Sequence, residues 1–282
     1  MKIHFDVKDI VVKRVSVRNY TSQSISEETM INIKEFIQNL SNPFNVKVDY
    51  HFLNLDDSQQ PQKLGTYGVI KGAVQYIGAS IKLEPYALEA LGYEMEVLIL
   101  YLTHLGLGTC WLGGTFDRKG FSRGMNIDSN QIFPIITPVG YSEEKRHITE
   151  IAMRKLIKAD QRKPWEKLFF VNDFSTPLTN DEGNDYNFAF EMVRLGPSAS
   201  NKQPWRIVII NQVFHFFEHK DPGYSDIFPY DLQRIDMGIA LAHFELAMKE
   251  KGVHGQLRIN LNPNIELPSN IHYSFSWVRE TI

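Results

Sequence analysis

Two helical segments with the same glycine spacing constrain the fold of this chain more than any other feature. Gly92 and Gly106 lie 14 positions apart, and Gly238 and Gly252 repeat this spacing in the second half. Each pair brackets an apolar helical segment that follows strands and, before them, a shorter amphipathic helix. The repeated order of elements indicates a duplicated unit. We expect the two copies to pack face to face on one chain, as two subunits do in a homodimer.

Helical and alternating periodicities predict the elements of the first half. A helix starts after Ser26, which is placed to act as its N-cap, and ends near Leu40. The remaining predicted elements are strands over 46–55, 73–79 and 132–139 and a buried helix over 92–105. The charged segment 142–163 is predicted to connect this half to the next.

The second half is predicted to begin near Pro164. Its predicted elements are a helix that ends at Leu195, a hairpin with strands over 206–210 and 213–217, and a helix that Gly252 closes. Together these patterns predict an α+β protein. Its two related α/β halves, 1–163 and 164–282, are expected to pack as an intramolecular pseudo-dimer.

Composition excludes several classes of function. The 282 residues carry a formal net charge of −3, which argues against broad electrostatic binding of nucleic acid. Cys110 is the only cysteine, so an intrachain disulfide and a multi-cysteine metal site are excluded, and the scattered histidines predict no metal site. No segment resembles a signal peptide or a membrane span, so we expect a cytoplasmic protein without a membrane partner.

An alternating basic segment near the N-terminus is the first candidate binding element. Arg14, Ser16 and Arg18 share one face if this segment is extended. Two guanidinium groups and a hydroxyl on one face can hold a phosphate group. A solvated basic edge strand is the alternative interpretation of the same pattern.

Three further segments are candidate motifs, and the first two could contact a flat ligand. The loop 196–205 reads GPSASNKQPW and offers hydroxyl, amide and backbone groups, although local capping explains it equally well. The segment 106–115 reads GLGTCWLGGT and allows a close approach to a planar ring, although a helix C-cap and a tight turn also explain it. The segment 138–141, PVGY, ends a strand and precedes Lys145 and Arg146, which alone would be ordinary surface cations.

Taken together, these motifs resemble the nitroreductase family of FMN-dependent oxidoreductases. The resemblance rests on RxSVR at 14–18, GLGTCWLGG at 106–114, PVGY at 138–141 and PSASNKQPW at 197–205, and it extends from about Val11 to Arg258. The family places its PSxxN loop after the first helix, whereas here the loop occurs only in the second half. This order resembles the duplicated, single-chain branch of the family and implies a nitroreductase-like fold.

The resemblance also implies one FMN per chain, bound between the halves. Arg14, Ser16 and Arg146, with Lys145 as a weaker candidate, would hold the phosphate, and Arg18 would lie near N1 and O2 of the flavin ring. The implied cofactor contacts are Arg14, Val15, Ser16, Arg18, Leu112, Gly113, Gly114, Arg146, Pro197, Ser198, Ala199, Asn201 and Gln203. The opposite site is expected to be absent, because half one lacks PSxxN and half two lacks RxSxR.

The function implied by the resemblance is transfer of hydride from NAD(P)H through flavin N5 to a small organic acceptor of nitro-aromatic or quinone type. No protein acid or base is required, because the cofactor carries the chemistry. Two alternatives are a flavin carrier or sensor without turnover, and an interaction protein whose pocket has collapsed. The chain is expected to act as a monomeric pseudo-dimer, and further association stays open.

Overall fold

The structure is a computed structural model that describes residues 5–55, 64–143, 151, 154–179 and 185–280. Its helices are α1 (Val7–Lys13), α2 (Glu27–Gln38), α3 (Ala87–His104), α4 (Arg118–Gly124), α5 (Asp185–Leu195) and α6 (Gln233–Glu250). Its strands are β1 (Asp49–Asn54), β2 (Gln75–Ile81), β3 (Gly108–Thr109), β4 (Ile132–Gly140), β5 (Phe169–Val171), β6 (Trp205–Ile210), β7 (Val213–His219), β8 (Gly255–Arg258) and β9 (Ile271–Arg279). This mixture of helices and sheets confirms the predicted α+β class.

The strands form two sheets, one in each half. The first sheet has the order β1-β2-β4-β3, and its neighbouring strands are antiparallel. The second has the order β5-β6-β7-β9-β8 and is antiparallel except for the parallel pair β5–β6. The predicted hairpin of β6 and β7 turns at Asn211 and Gln212, whose φ angles of 50° and 62° suit a tight hairpin turn.

The two halves repeat their elements in one order, as the glycine spacing predicts. The series α2-β1-β2-α3-β3-β4 corresponds to α5-β6-β7-α6-β8-β9. Helices α3 and α6 each contain 18 residues, and each residue of α6 lies 146 positions after its counterpart in α3. These two helices pack against each other at Gly92 and Gly238, where neither helix has room for a side chain. The fold is therefore a pseudo-dimer built around one central helix pair.

Local capping explains where several elements begin and end. Ser26 accepts a hydrogen bond from the backbone N–H of Thr29 at 3.2 Å, which confirms the predicted cap of α2. Helix α3 begins at Ala87 rather than at the predicted Gly92, because Gly92 lies inside the helix at the crossing. Gly106 and Gly252 follow the ends of the two central helices with positive φ angles, as expected for C-terminal glycines.

Helix α1 does not follow the predicted division of the chain. It belongs to half one in sequence but packs in the core of half two. Its buried residues Val7, Ile10 and Val11 belong to the core of the second half, where they share one apolar cluster with Phe190 and Trp205. A helix of 7 residues is too short for periodicity to identify, so the sequence patterns did not indicate it. The first 163 residues are therefore not self-contained, and the boundary between 163 and 164 remains a prediction. Within the described residues, no helix combines the length and apolarity needed to cross a membrane.

Candidate functional site

A cavity of about 310 Å³ lies between the two halves of the chain. The first half contributes Ser16 and Arg18 to its wall, together with the glycine pair at 113–114. The second half contributes the loop 197–200 and the first turns of α6. Three of the four sequence motifs therefore meet at one cavity, while the fourth, PVGY, lies in β4 and the residue after it.

The N-terminal segment is extended and is held by backbone hydrogen bonds. Val17 N–H donates to Thr109 O at 2.8 Å, and Lys71 N–H donates to Arg18 O at 2.9 Å. In this extended geometry Ser16 and Arg18 share the face that lines the cavity. Gly108 lies against Val17, since a Cβ at Gly108 would approach Val17 Cγ2 to 2.8 Å. The absence of a side chain at Gly108 thus lets the basic segment pack against β3.

The 197–203 loop presents its first residues to the cavity and uses its last residues to hold itself in place. Pro197, Ser198 and Ala199 line the cavity. Ser198 Oγ accepts a hydrogen bond from Gln203 N–H at 2.8 Å, and Asn201 Nδ2 donates to the carbonyl oxygen of Gln161 at 2.9 Å. The positive φ angles of Asn201 (56°) and Gln203 (49°) are unfavourable for ordinary side chains, so these hydrogen bonds stabilise a strained turn.

The glycine-rich turn exposes two of its three predicted residues to the cavity. Gly113 and Gly114 line it, whereas Leu112 is buried in the neighbouring apolar core and exchanges backbone hydrogen bonds with Ile136 at 3.0 and 3.1 Å. A Cβ at Gly113 would approach Ile135 Cδ1 to 3.1 Å, so the turn is closely packed on its inner side. The backbone of this turn is therefore available to a ligand, and the side chain of Leu112 is not.

Buried cations without hydrogen-bond partners mark the basic side of the cavity. Nε and Nη1 of Arg18 are buried and have no hydrogen-bond partner among the described residues, and neither does Nε of Arg14. A buried guanidinium group without partners is costly, which indicates a place for an anionic or electron-rich ligand. These residues therefore fit a cofactor that has a phosphate group and a polar heterocycle.

Sequence patterns missed a third arginine on this side. Arg162 Nη2 donates to Leu195 O at 3.1 Å, and its Nη1 lies 3.4 Å from Asn201 Oδ1. Burial lowers the pKa of Arg162 to about 10, and the nearby charge of Arg14 adds to this effect. Arg162 lies in the charged segment that was interpreted only as a connector, so no local pattern distinguished it. Arg146, the predicted phosphate ligand, and Lys145 lie outside the described residues.

A buried carboxylate links the basic segment to the cavity wall. Glu96 in α3 accepts a hydrogen bond from Trp111 Nε1 at 2.8 Å, and Trp111 itself lines the cavity. The other oxygen of Glu96 lies 2.8 Å from Nε2 of His243 in α6 and 3.8 Å from Nε of Arg14. Glu96 therefore connects the central helix pair to both the arginine and the indole ring.

The predicted contact residues that the structure describes, all except Arg146, fall into three groups. Those that line the cavity are Ser16, Arg18, Gly113, Gly114, Pro197, Ser198 and Ala199. Those that lie behind its walls are Arg14, Leu112, Asn201 and Gln203, while the side chain of Val15 is 42% exposed. The chief lining residue that the sequence patterns did not indicate is Asp236, because an acidic residue in the first turn of a helix is ordinarily explained by the helix dipole. Across the described residues, no cluster of His, Cys, Asp and Glu could hold a metal ion.

Comparisons with known proteins identify the family and the fold of the chain. The family model described as "Putative TM nitroreductase" matches residues 6–248. A solved structure described as a putative nitroreductase from Thermotoga maritima is 20% identical, with 99% of this chain and 95% of that chain covered and a TM-score of 0.60. That full-length likeness confirms the nitroreductase-like fold.

Other solved structures match about half of the chain. Nitroreductases described with bound FMN, from Desulfitobacterium hafniense and Bacteroides fragilis, are 18% and 17% identical. They cover 52% and 51% of this chain and 95% and 92% of their own, with TM-scores of 0.40 and 0.41. No curated protein matches the chain. On the family match, which spans most of its length, the chain belongs to the "Putative TM nitroreductase" family and hence to a family of oxidoreductases.

Proposed function

We propose that this chain is an FMN-dependent oxidoreductase that binds one FMN between its halves and transfers hydride from NAD(P)H to a small organic acceptor of nitro-aromatic or quinone type. The observation that carries the proposal is the meeting of Ser16 and Arg18 with the 197–199 loop at one cavity, although they belong to opposite halves. Family membership supports the redox chemistry. When bound, FMN supplies the hydride-transfer chemistry itself.

The cations beside the cavity would bind the phosphate group of the cofactor. Arg14 is buried and Arg162 is half-buried near it, and their mutual repulsion favours an anion between them. The hydroxyl of Ser16 can donate a further hydrogen bond, since it lines the cavity on the same segment. Charge-assisted hydrogen bonds of this kind each contribute about 1.5–3 kcal/mol.

Arg18 would bind the ring system rather than the phosphate. It lines the cavity directly, whereas Arg14 lies behind the wall beside Glu96. A buried cation beside a flavin ring stabilises the negative charge that reduction adds to the ring. Gly113 and Gly114 line the same space, so their backbone N–H groups would be the donors for acceptor atoms of the ring.

Apolar side chains on the remaining walls would exclude water from the site. Trp111, Phe228 and Ile239 line the cavity, and Trp111 is held in orientation by its hydrogen bond to Glu96. Ile227 reaches the cavity from the loop before α6, although its side chain is 83% exposed. A ligand that covers this exposed side chain would gain apolar contact area.

The opposite site of the pseudo-dimer does not have the same composition. Counted by the same offset of 146, the positions that correspond to the glycine pair carry Ile259 and Asn260. These residues line a groove in which the rings of Phe44 and Tyr86 stack at 5.6 Å and 12°. Phe44 lies in the segment that joins α2 to β1, which corresponds in element order to the segment that carries the 197–199 loop. This difference supports one FMN per chain rather than two.

The experiment that tests the proposal is an absorbance spectrum of purified protein supplied with FMN, followed by stopped-flow mixing with NADH or NADPH. We expect a protein-bound flavin band that bleaches on addition of one nicotinamide and recovers when 1,4-benzoquinone is added. Binding without bleaching would contradict the oxidoreductase and favour a carrier or sensor. A protein that takes up no FMN would indicate a collapsed pocket.

A further inference from the structure

We propose that Asp236 is a neutral carboxylic acid that donates a hydrogen bond from Oδ2 to an acceptor atom of the planar ligand in the cavity. The proposal rests on the function proposed above and identifies a polar contact of the same site. The acceptor is a carbonyl or nitro oxygen or a ring nitrogen, on either the flavin or the second substrate.

The position of Asp236 leaves one of its oxygens for a ligand. The residue lies in the first turn of α6, is 2% exposed and lines the cavity. Oδ1 accepts a hydrogen bond from Ala199 N–H at 3.0 Å, within the loop that borders the same space. Oδ2 is buried and has no hydrogen-bond partner in the described part of the chain. A buried polar oxygen without a hydrogen-bond partner costs free energy unless a ligand supplies that partner.

The surroundings of Asp236 favour the protonated form. Burial raises the pKa of Asp236 well above the ordinary value, the N–H of Ala199 opposes this effect, and the nearby acidic groups of Glu218 and Asp231 add to it. Among the described residues, no cation forms an ion pair with Asp236. Arg18 shares the cavity, but its buried Nε and Nη1 lack partners just as Oδ2 does.

The cations of two neighbouring described segments, Arg234 and Lys220, are paired with other acids rather than with Asp236. On α3, Glu89 forms a two-point ion pair with Arg234, with distances of 2.7 and 2.9 Å, so these opposite charges offset each other. Before α6, Lys220 lies 2.8 Å from Asp231 and is similarly paired. A protonated carboxyl group at Asp236 has one O–H donor, and no acceptor for it lies among the described residues.

Comparison of the two halves shows that packing of the central helix pair does not require an acid at this position. The residue of α3 that corresponds to Asp236 is Ala90, which is fully buried. The central helix pair therefore packs with alanine at this position. An acid occurs only in the copy whose N-terminal turn borders the cavity, which points to a role toward the ligand. A neutral donor also suits a ligand that gains negative charge on reduction, because an ionised carboxylate would repel it.

The charge of Asp236 can be tested on the ligand-free protein. We expect the infrared spectrum at pH 7 to contain the C=O stretch of a protonated carboxyl group that is lost in Asp236→Asn and retained in Asp226→Asn, which changes an exposed acid in the loop before α6. If Asp236→Asn instead lost the band of an ionised carboxylate, the proposal would be overturned. This readout requires no bound cofactor.

Binding measurements test the donated hydrogen bond and identify its acceptor. Asp236→Asn keeps the shape and a donor group, so its affinity for FMN and its KM for 1,4-benzoquinone should stay within about threefold of wild type. Asp236→Ala should weaken one of the two by about tenfold, the size of one hydrogen bond. Loss of FMN affinity assigns the acceptor atom to the flavin, and a raised KM alone assigns it to the second substrate.

Two outcomes separate failure of this inference from failure of the proposed function. If both constants are unchanged in a folded Asp236→Ala variant, or if Asp236→Asn loses as much as Asp236→Ala, the donated hydrogen bond is wrong while the flavin site stands. If wild-type protein binds no FMN, the proposed function fails and the ligand assigned here fails with it. The infrared band would then still decide the charge of Asp236.

Discussion

Gly92 of α3 and Gly238 of α6 lie at the same crossing of the two central helices, each against the backbone of the other helix. A Cβ at Gly92 would lie 2.1 Å from the carbonyl oxygen of Ile235, and a Cβ at Gly238 would lie 2.0 Å from that of Glu89. Ile235 follows Glu89 by the same 146 positions that separate the two glycines. The central helices thus meet backbone to backbone around a local twofold axis, and the cavity lies beside one end of this contact.

Substitution of Gly92 or Gly238 by alanine should push the two central helices apart. The added methyl group would collide with backbone, which cannot rotate away as a side chain can, so we expect each variant to lose at least about 1–3 kcal/mol of stability. Because the two contacts are equivalent, Gly92→Ala and Gly238→Ala should be destabilised to a similar extent. Urea unfolding of each variant measures the loss of its free energy of unfolding. Gly124→Ala is the matched control, since its Cβ would meet its nearest neighbour at 3.5 Å. A large loss in one glycine variant only would contradict the twofold arrangement.

The sequence predicted the central helices and the cavity lining through different signals. Glycine spacing identified α3 and α6, because close helix contact requires glycine at fixed positions. The motifs identified Ser16 and Arg18 together with the 197–199 loop, because ligand contact requires particular groups at particular spacing. Both signals are local in sequence.

Other site features depend on tertiary contacts and left no local signal. Arg162 is distinguished from other surface cations only by burial beside Arg14. Asp236 is distinguished from an ordinary N-terminal helix acid only by an unpartnered oxygen in the cavity. Leu112 was predicted among the contacts from the family resemblance of the glycine-rich motif, yet its side chain lies in the core, where its backbone pairs with Ile136.

The two arginines of the N-terminal segment should have separable effects. Arg14→Ala should weaken FMN binding more than Arg18→Ala, because loss of charge-assisted hydrogen bonds to phosphate costs about 1.5–3 kcal/mol each. Arg18→Ala should instead lower the midpoint potential of the bound flavin, because the cation no longer stabilises the reduced ring. Fluorescence titration and a potentiometric titration measure the two quantities. Equal losses of affinity with unchanged potential would show that this division of roles is wrong.

Arg162 should contribute to binding of the phosphate group. We expect Arg162→Ala to weaken FMN binding about tenfold or more, in line with one charge-assisted hydrogen bond. Riboflavin, which lacks the phosphate group, should bind the variant and wild type equally. Arg123→Ala removes an exposed arginine of α4 and serves as the control. Arg146→Ala measures the phosphate contact predicted for that residue, and a loss confined to Arg146→Ala would contradict the role of Arg162.

Buried Glu218 should make the protein less stable as pH rises. Burial raises the pKa of Glu218 from its ordinary 4.5 to about 8, and the charge of Asp231 adds to the increase. The folded state therefore binds this proton more tightly than the unfolded chain, so its stabilising effect is complete below about pH 4.5 and is lost as pH rises toward 8. Glu218→Gln should gain stability relative to wild type across this window and level off above it.

Unfolding by urea at several pH values measures this dependence. The exposed residue Glu266 provides the control, because Glu266→Gln should show no such trend. A difference between Glu218→Gln and wild type that is constant from pH 5 to pH 8 would contradict the raised pKa of Glu218.

A flavin titration that counts binding sites per chain tests the single flavin site most directly. We expect apoprotein to bind one equivalent of FMN and Ser198→Trp to bind none, because an indole in the 197–199 loop would fill the cavity from the second half. Thr176→Trp, on an exposed turn of the same half, should still bind one equivalent. Two equivalents in wild type, or unchanged binding in Ser198→Trp, would contradict a single flavin site between the halves.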